Sequence, residues 1–379
     1  MPDHAPETAV TAENNPDAPA GVQRLIAGGQ NYIPTTTDEV VDLEGTVAEH
    51  RSDAPFQALV IWLFRAGAPP EQVGLDELET LVSRDENFIW IDLCEYVESD
   101  LQEVARVLHL HQPDVVATLA QWQRPRLDVY GKGFFTSVTV ARIDSSTYRV
   151  QASELDIFVG ENYLVSAHKV ELPFGTRIMA RASHSPELVQ HDSAFMLFIL
   201  LDELLTYNEH LYEQLEDDIE RMEERALVDT SDAFLHDLLH LKRYAFALSQ
   251  LVDQHHSVFA AFLRPDFPFV SEEGVGAYYR DLEGRLTRLT GTLRAAGASV
   301  NGAFDIYVSH VTHRTNQIIR VLTIVSTVLL PLTVILGFFG TSFTDVKFLH
   351  TTAAFLIMLV LIALALSVTL GLFRRQGWL

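Results

Sequence analysis

The chain has 379 residues, room for two or three domains of ordinary size. Its 27 Lys and Arg against 51 Asp and Glu leave a formal charge of −24. That balance argues against a nucleic-acid binder, which needs a basic face to displace counterions from phosphates, and the single cysteine, Cys94, excludes a disulfide scaffold and cysteine-rich zinc or iron–sulfur centres.

Residues 1–54 form an acidic N-terminal segment. Up to residue 53 it holds ten acids and two bases, with much Pro, Ala, Thr and Asn and no helical apolar stripe, so it is expected to be largely disordered. Residues 55–184 alternate short apolar, β-favouring runs with helical patterns. The runs are 56–63, 88–93, 134–141, 148–152, 155–159 and 163–166, with Gly160-Glu161-Asn162 as a hairpin turn, and the helical patterns fall near 75–84, 98–109 and 113–121. This mixture predicts an α+β or α/β cytosolic domain.

Residues 185–275 read as an acidic helical hairpin, with helices over about 187–226 and 231–263, closed off by Pro265 and Pro268. Residues 202–224 hold ten acids against Arg221, either a solvated face or a cytosolic sink that concentrates cations. His236 and His240 stand at i, i+4, a spacing that suits Zn²⁺ on a helix as well as two surface histidines. From Gly276 a stalk helix, residues 276–320, carries a seam of Leu282, Leu286, Leu289, Leu293, Ala296, Val300, Ala303 and Tyr307, three and four apart. Nothing strong enough to stop it precedes the apolar run, so a single very long helix packed in a bundle is predicted.

Residues 321–339 carry no charge and as a helix would match a hydrocarbon core about 30 Å thick. A second uncharged run, 349–373, follows a short loop, 340–348, and a basic tail, 374–379, begins with Arg374-Arg375. Two transmembrane helices follow. Arg314 and Arg320 before the first and Arg374-Arg375 after the second place both ends in the cytosol by the positive-inside rule. The N-terminus lacks a basic region followed by an apolar one, so no signal peptide is expected. No phosphate loop, nucleophile elbow or dinucleotide fingerprint occurs, so an enzyme is not expected.

Asn316, Ile319, Leu322, Ser326, Leu330, Thr333 and Gly337 are three or four apart and share one helix face, which could line a pore; Thr323 and Thr327 define a rival face. The alternative is that Ser326 and Thr333 bond their own i−4 carbonyls and small residues aid packing.

The segment from Asp305 to Val325, followed by Leu330-Pro331-Leu332-Thr333, Gly337 and Gly340, resembles the stalk-to-membrane junction of the CorA family. So do the ending Phe373-Arg374-Arg375-Gln376-Gly377-Trp378-Leu379 and, earlier, Trp90-Ile91-Asp92-Leu93 and Trp122 to Leu127. The resemblance covers about 55–379. It implies a funnel-shaped homopentamer in the cytoplasmic (inner) membrane, with an α/β cytosolic domain, a stalk helix, a pore-lining first span and an outer second span. The partners it implies are the lipid bilayer and divalent cations. It implies no cofactor, only a transported ion: Mg²⁺, sometimes Co²⁺ or Ni²⁺, and Zn²⁺ in the ZntB branch. A non-conducting membrane-anchored sensor or scaffold is the alternative of another class.

The resemblance puts the seven residues named above on the pore. The family's Gly-Met-Asn mouth falls on Gly340, Thr341 and Ser342, where a ring of short hydroxyls replaces a ring of amides that would hold the ion's water shell. The family's regulatory stalk acid falls on Asp281, but its partner position falls on Ala117, with Asp114 the nearest acid. His310 and His313, just inside the cytosolic mouth, are candidates for transition-metal contact or pH response.

Overall fold

A computed structural model describes residues 38–41, 47–50, 58–120, 124–144, 149–185, 187–267, 269–270, 274–340 and 352–375. Within the acidic stretch 1–54, the described residues are two strands, β1 (Asp38–Val41) and β2 (Val47–His50), paired antiparallel as a separate sheet. The remainder of that expectation lies outside the described residues.

The α/β region contains β3 (Leu59–Phe64), β4 (Glu71–Gln72), α1 (Leu75–Val82), β5 (Phe88–Cys94), α2 (Glu98–Leu108) and α3 (Gln112–Ala120). It continues through β6 (Arg126–Tyr130), β7 (Gly133–Asp144), β8 (Arg149–Val159), β9 (Tyr163–His168) and α4 (Gly175–His184). Seven strands form one sheet in the order β4-β3-β5-β9-β8-β7-β6. Every pairing is antiparallel except β5 with β9. The apolar run of β5, broken only by the half-buried Asp92, reflects its place inside the sheet with both faces covered. Ile89, Ile91 and Leu93 point to one face, where they pack with Leu78, Leu101, Val104, Leu108 and Val115 of the first three helices. Gly160 turns β8 back into β9 as expected, its N–H donating to Tyr163 O at 2.9 Å. The runs 148–152 and 155–159 meet in one strand, β8, rather than two; β4 has no apolar residue, and β6, with Leu127 and Val129 between polar residues, falls outside the predicted runs.

The rest is helical: α5 (Glu187–Ala226), α6 (Asp232–Asp253), α7 (His256–Phe262), α8 (Gly276–Gly340) and α9 (Thr352–Arg375). Ser231 caps α6, its Oγ accepting from the Phe234 N–H at 3.2 Å. The predicted helix 231–263 is broken between α6 and α7. There the buried His255 accepts the Thr139 N–H on Nε2 at 3.0 Å, a sheet contact that a straight helix would forgo.

The chain divides into two compact units, 1–214 with 243–295, and 215–242 with 296–379. In the first unit, Tyr279 Oη donates to Ala194 O at 2.8 Å, tying the start of α8 to α5. In the second, the Tyr307 ring lies 5.5 Å from that of Phe234. All eight residues of the predicted seam are buried, Leu282, Leu286 and Leu293 completely. Helix α8 is 65 residues long, about 98 Å at 1.5 Å per residue, and runs through Pro331 without interruption.

Candidate ion path and cytosolic acidic sites

The seven predicted pore residues all lie on α8 and are all exposed on the isolated chain. At 100° per residue they cluster on one side of the helix. Of the half-buried positions in 321–339, Ile324, Val328, Pro331, Leu332, Ile335 and Phe339 cluster about 180° away, while Thr323 falls beside the stripe. The stripe therefore turns away from the side that its own unit covers. It reads from the N-terminal end as an amide at Asn316, three bulky apolar side chains at Ile319, Leu322 and Leu330 around the Ser326 hydroxyl, then Thr333 and Gly337. Thr333 Oγ1 donates to Leu329 O at 2.8 Å, which leaves its lone pairs outward. Thr323, on the rival face, does the same to Ile319 O at 2.7 Å. Gly340 ends α8, while Thr341 and Ser342 lie outside the described residues. Helices α8 and α9 each contain a stretch long and apolar enough to cross a membrane, and almost none of either stretch is buried by the chain itself.

His310 and His313 fall on the half-buried side of α8, opposite the stripe. His310 is half-buried with an unpartnered Nδ1, and His313 Nε2 lies 2.9 Å from the Gln317 amide. Helical arithmetic on the sequence could have made that separation visible.

The acids of α5 are less available to cations than their count suggests. Asp202 and Glu203 are buried. Arg181 of α4 bonds both, Arg177 of α4 holds Glu203 at 2.9 Å, and Arg285 of α8 bonds Asp202 and holds Glu209 at 2.6 Å. Further along, Arg221 pairs with Asp218. Arg285 is raised above the usual guanidinium range, its hydrogen bond to Glu209 outweighing burial. Arg177, Arg181 and Arg285 come from other elements, which is why a count along one helix missed them. The cation-sink reading fails for the first turns of this run.

Asp281 is exposed near the start of α8. Asp114, the nearest acid to the missing half of the regulatory pair, is buried and committed, to His111 Nδ1 at 2.8 Å and to Arg126 Nη2 at 3.1 Å. Satisfied in this way, it is not a spare ligand. His236 and His240 are exposed on α6, and among the described residues no group of three or more His, Cys, Asp or Glu side chains is arranged to hold a metal ion.

Two buried polar clusters sit in the sheet and were not anticipated. Asp92 accepts from Ser166 Oγ at 2.5 Å and lies 3.1 Å from His168 Nε2, and Ser166 in turn accepts from Trp90 Nε1 at 2.9 Å. Burial works to lower His168, but hydrogen bonds with Asp92 and Cys94 raise it to about 10. On the opposite face burial raises Asp156 to about 6, against the lowering effect of the Ser137 and Thr118 hydroxyls. Alternation along β8 and β9 gives the signal for both: a carboxylate and an imidazole at inward-pointing positions.

Residues 85–375 match the family model described as CorA-like Mg²⁺ transporter protein. Among curated proteins, the putative metal ion transporter YfjQ of Bacillus subtilis is 24% identical over 302 residues, covering 79% of this chain and 93% of that one. The cobalt/magnesium transport protein CorA of Thermotoga maritima is 23% identical over 293 residues, covering 76% and 83%. Among solved structures, the complete CorA magnesium transporter of Methanocaldococcus jannaschii superposes with a TM-score of 0.73 at 17% identity, over 86% of this chain and all of that one.

Proposed function

The chain belongs to the CorA-like Mg²⁺ transporter family, and from that membership we propose that it conducts divalent cations across the cytoplasmic membrane. The observation that carries this is the extent of the family match, which includes the long helix and both apolar helices. Five copies, arranged about an axis, would turn the Asn316–Gly337 stripe toward a shared aqueous path. The polar positions Asn316, Ser326 and Thr333 would meet the ion's water shell, and Ile319, Leu322 and Leu330 would form the constrictions that close it by dewetting. Mg²⁺ gives up its first-shell water reluctantly, so a path that touches the hydrated ion through neutral oxygens suits it. The membrane potential drives the ion inward at about 2.3 kcal/mol per elementary charge per 100 mV. Both ends of the chain are proposed to be cytosolic.

The proposed domains are the segment 1–54, the α/β domain 55–184, the helical hairpin 185–275, the stalk 276–320, the spans 321–339 and 349–373, the outer loop 340–348 and the tail 374–379. Mg²⁺ is the primary ion, with Co²⁺ and Ni²⁺ as companions; a Zn²⁺-selective role is not favoured, since the Thermotoga maritima relative is named for cobalt and magnesium transport. No enzyme activity is proposed. Asp281 and the two stalk histidines are assigned no role in control by metal, because Asp114 is committed to Arg126 and the histidines face away from the path.

Flux into liposomes tests the proposal. Mg²⁺ uptake that cobalt hexammine blocks supports it; no flux of any divalent ion from confirmed pentamers would leave a membrane-anchored scaffold. The mouth gives a sharper arm. If Thr341 and Ser342 set selectivity, the double variant Thr341→Met, Ser342→Asn gains Mg²⁺ conduction by at least about tenfold, the equivalent of about 1.4 kcal/mol. An unchanged rate would remove the mouth from the account of selectivity.

A further inference from the structure

A cavity of about 140 Å³ lies in the α/β region, against the sheet face that carries Asp156 and Ala167 and beside α3, which contributes Thr118. Pockets for drug-sized ligands occupy roughly 300–1,000 Å³, so an occupant here has only a few heavy atoms. Asp156 is 5% exposed. Arg126, the cation that acts on its charge, is committed to Asp114 and Asp128 at 3.1 Å each. Thr118 is 2% exposed and stands near enough to favour the Asp156 charge, yet its Oγ1 makes no hydrogen bond. A buried hydroxyl without a partner is costly, and this one lies on the wall of a cavity. A water molecule would satisfy the hydroxyl but would not compensate the carboxylate.

The rest of the lining narrows the chemistry. Tyr96 Oη donates to Thr118 O at 3.4 Å, which leaves its lone pairs to accept. Ala152, Ala167 and Val170 give apolar wall. Lys169 also borders the cavity, but its ammonium is taken up by Tyr96: Nζ donates to Tyr96 O at 2.6 Å and lies 3.4 Å over the Tyr96 ring. The Asp156 carboxylate, Thr118 Oγ1 and Tyr96 Oη thus form a set of three acceptors, one of them charged. A primary ammonium has three N–H donors and a single positive charge. Mg²⁺ instead demands a near-ideal octahedron of oxygens, and no group of three metal-ligating side chains stands here among the described residues.

We propose that this cavity binds the primary ammonium of a small alkylamine, with Asp156, Thr118 and Tyr96 accepting its N–H groups and the alanines and Val170 covering its methylenes. Glu154, half-buried and on the same face of β8 two residues from Asp156, adds negative potential to the site. The site lies wholly within the first compact unit and does not depend on the reading of the membrane spans.

The test is a saturation-transfer NMR titration of propylamine against the full chain in detergent micelles, in sodium chloride at about pH 8, where Asp156 is ionised. Saturable binding with a Kd of about 1 mM or tighter is expected, within the reach of a ligand this small. Asp156→Asn should weaken it at least about tenfold and Thr118→Val about threefold, as loss of a charged and a neutral acceptor requires. Glu220→Gln, at an exposed acid on α5, should leave it unchanged. Tetramethylammonium has the charge but no N–H donor, and should bind at least about tenfold more weakly than propylamine. Asp156→Ser serves if the asparagine variant does not fold. Absence of saturable binding, or equal binding by the parent and both cavity variants, overturns the proposal. Displacement of propylamine by Mg²⁺ or K⁺ below the amine's own Kd would make the cavity a metal site and overturns it as well.

Discussion

The two halves of α8 are built from similar apolar residues at similar spacing, yet their burial is opposite. Leu282, Leu286 and Leu293 are completely buried, whereas Leu322 and Leu330 are 63% and 67% exposed on the isolated chain. The first half is shielded from water by its own chain: α5 supplies Ala194, Asp202 and Glu209 as partners for Tyr279 and Arg285. The second half is followed in the sequence only by α9, and its apolar side chains are left exposed by the chain itself. One hydrophobic pattern thus serves two different solvents, and what separates them is the charge around it. Arg285, Arg288 and Arg294 punctuate the first half, while no charge occurs in 321–339. Apolar side chains in the first half should therefore carry folding stability, and those in the second should carry conduction.

Truncation tests that contrast first. Leu286→Ala opens a cavity in a packed core and is expected to lower stability by about 3 kcal/mol, seen as a fall in the thermal midpoint of the cytosolic region. Leu330→Ala should leave that midpoint nearly unchanged and raise ion flux by widening a constriction. Equal losses of stability at both positions would erase the distinction between the halves.

A smaller effect is expected at the ionic tie that anchors the first half. Arg285→Met leaves Asp202 and Glu209 without their shared guanidinium, although Arg181 still holds Asp202. The expected loss is about 2–3 kcal/mol, because the cost of removing one partner comes from the buried charge left behind. Asp202→Asn in the same background should recover part of it. No recovery would mean that Arg285 acts through packing instead.

The smallest of the three lies in the sheet. Asp156 has its folded value raised from 3.8 to about 6, so the folded state holds a proton that the unfolded state has released between those values. Stability from this group is then fully present below about 3.8 and falls as pH rises to about 6. Asp156→Asn should be more stable than the parent by about 2 kcal/mol at pH 7 and show no gain at pH 3.5. A pH-independent difference between the two would reject burial as the cause.

What the sequence made legible follows the same physical line. Periodic signals carried well: the seam to Tyr307, the two apolar runs, and the hairpin turn at Gly160 all appear where residue spacing put them. Contacts between distant elements did not carry. Nothing local to Asp202 or Glu203 announces the arginines at 177, 181 and 285, and nothing near His255 announces that its ring accepts from a strand 116 residues earlier. The edge strand β4 is two exposed polar residues and carries no signal, whereas β6 does alternate, with Leu127 and Val129 beside Arg126 and Asp128, but over only five residues. The stripe on α8 was legible as a face but ambiguous against Thr323 and Thr327. The position of the half-buried side about 180° away supports the choice.

The central claim is that the Asn316–Gly337 stripe, and not the opposite side of α8, borders the ion's path. Cysteine substitution in a Cys94→Ala background tests it at two positions one helical face apart. With Ser326→Cys, a charged thiol-reactive reagent is predicted to cut divalent-cation flux by more than tenfold, whereas with Ile324→Cys the same treatment changes it by less than twofold. Inhibition at Ile324→Cys with none at Ser326→Cys would contradict the account.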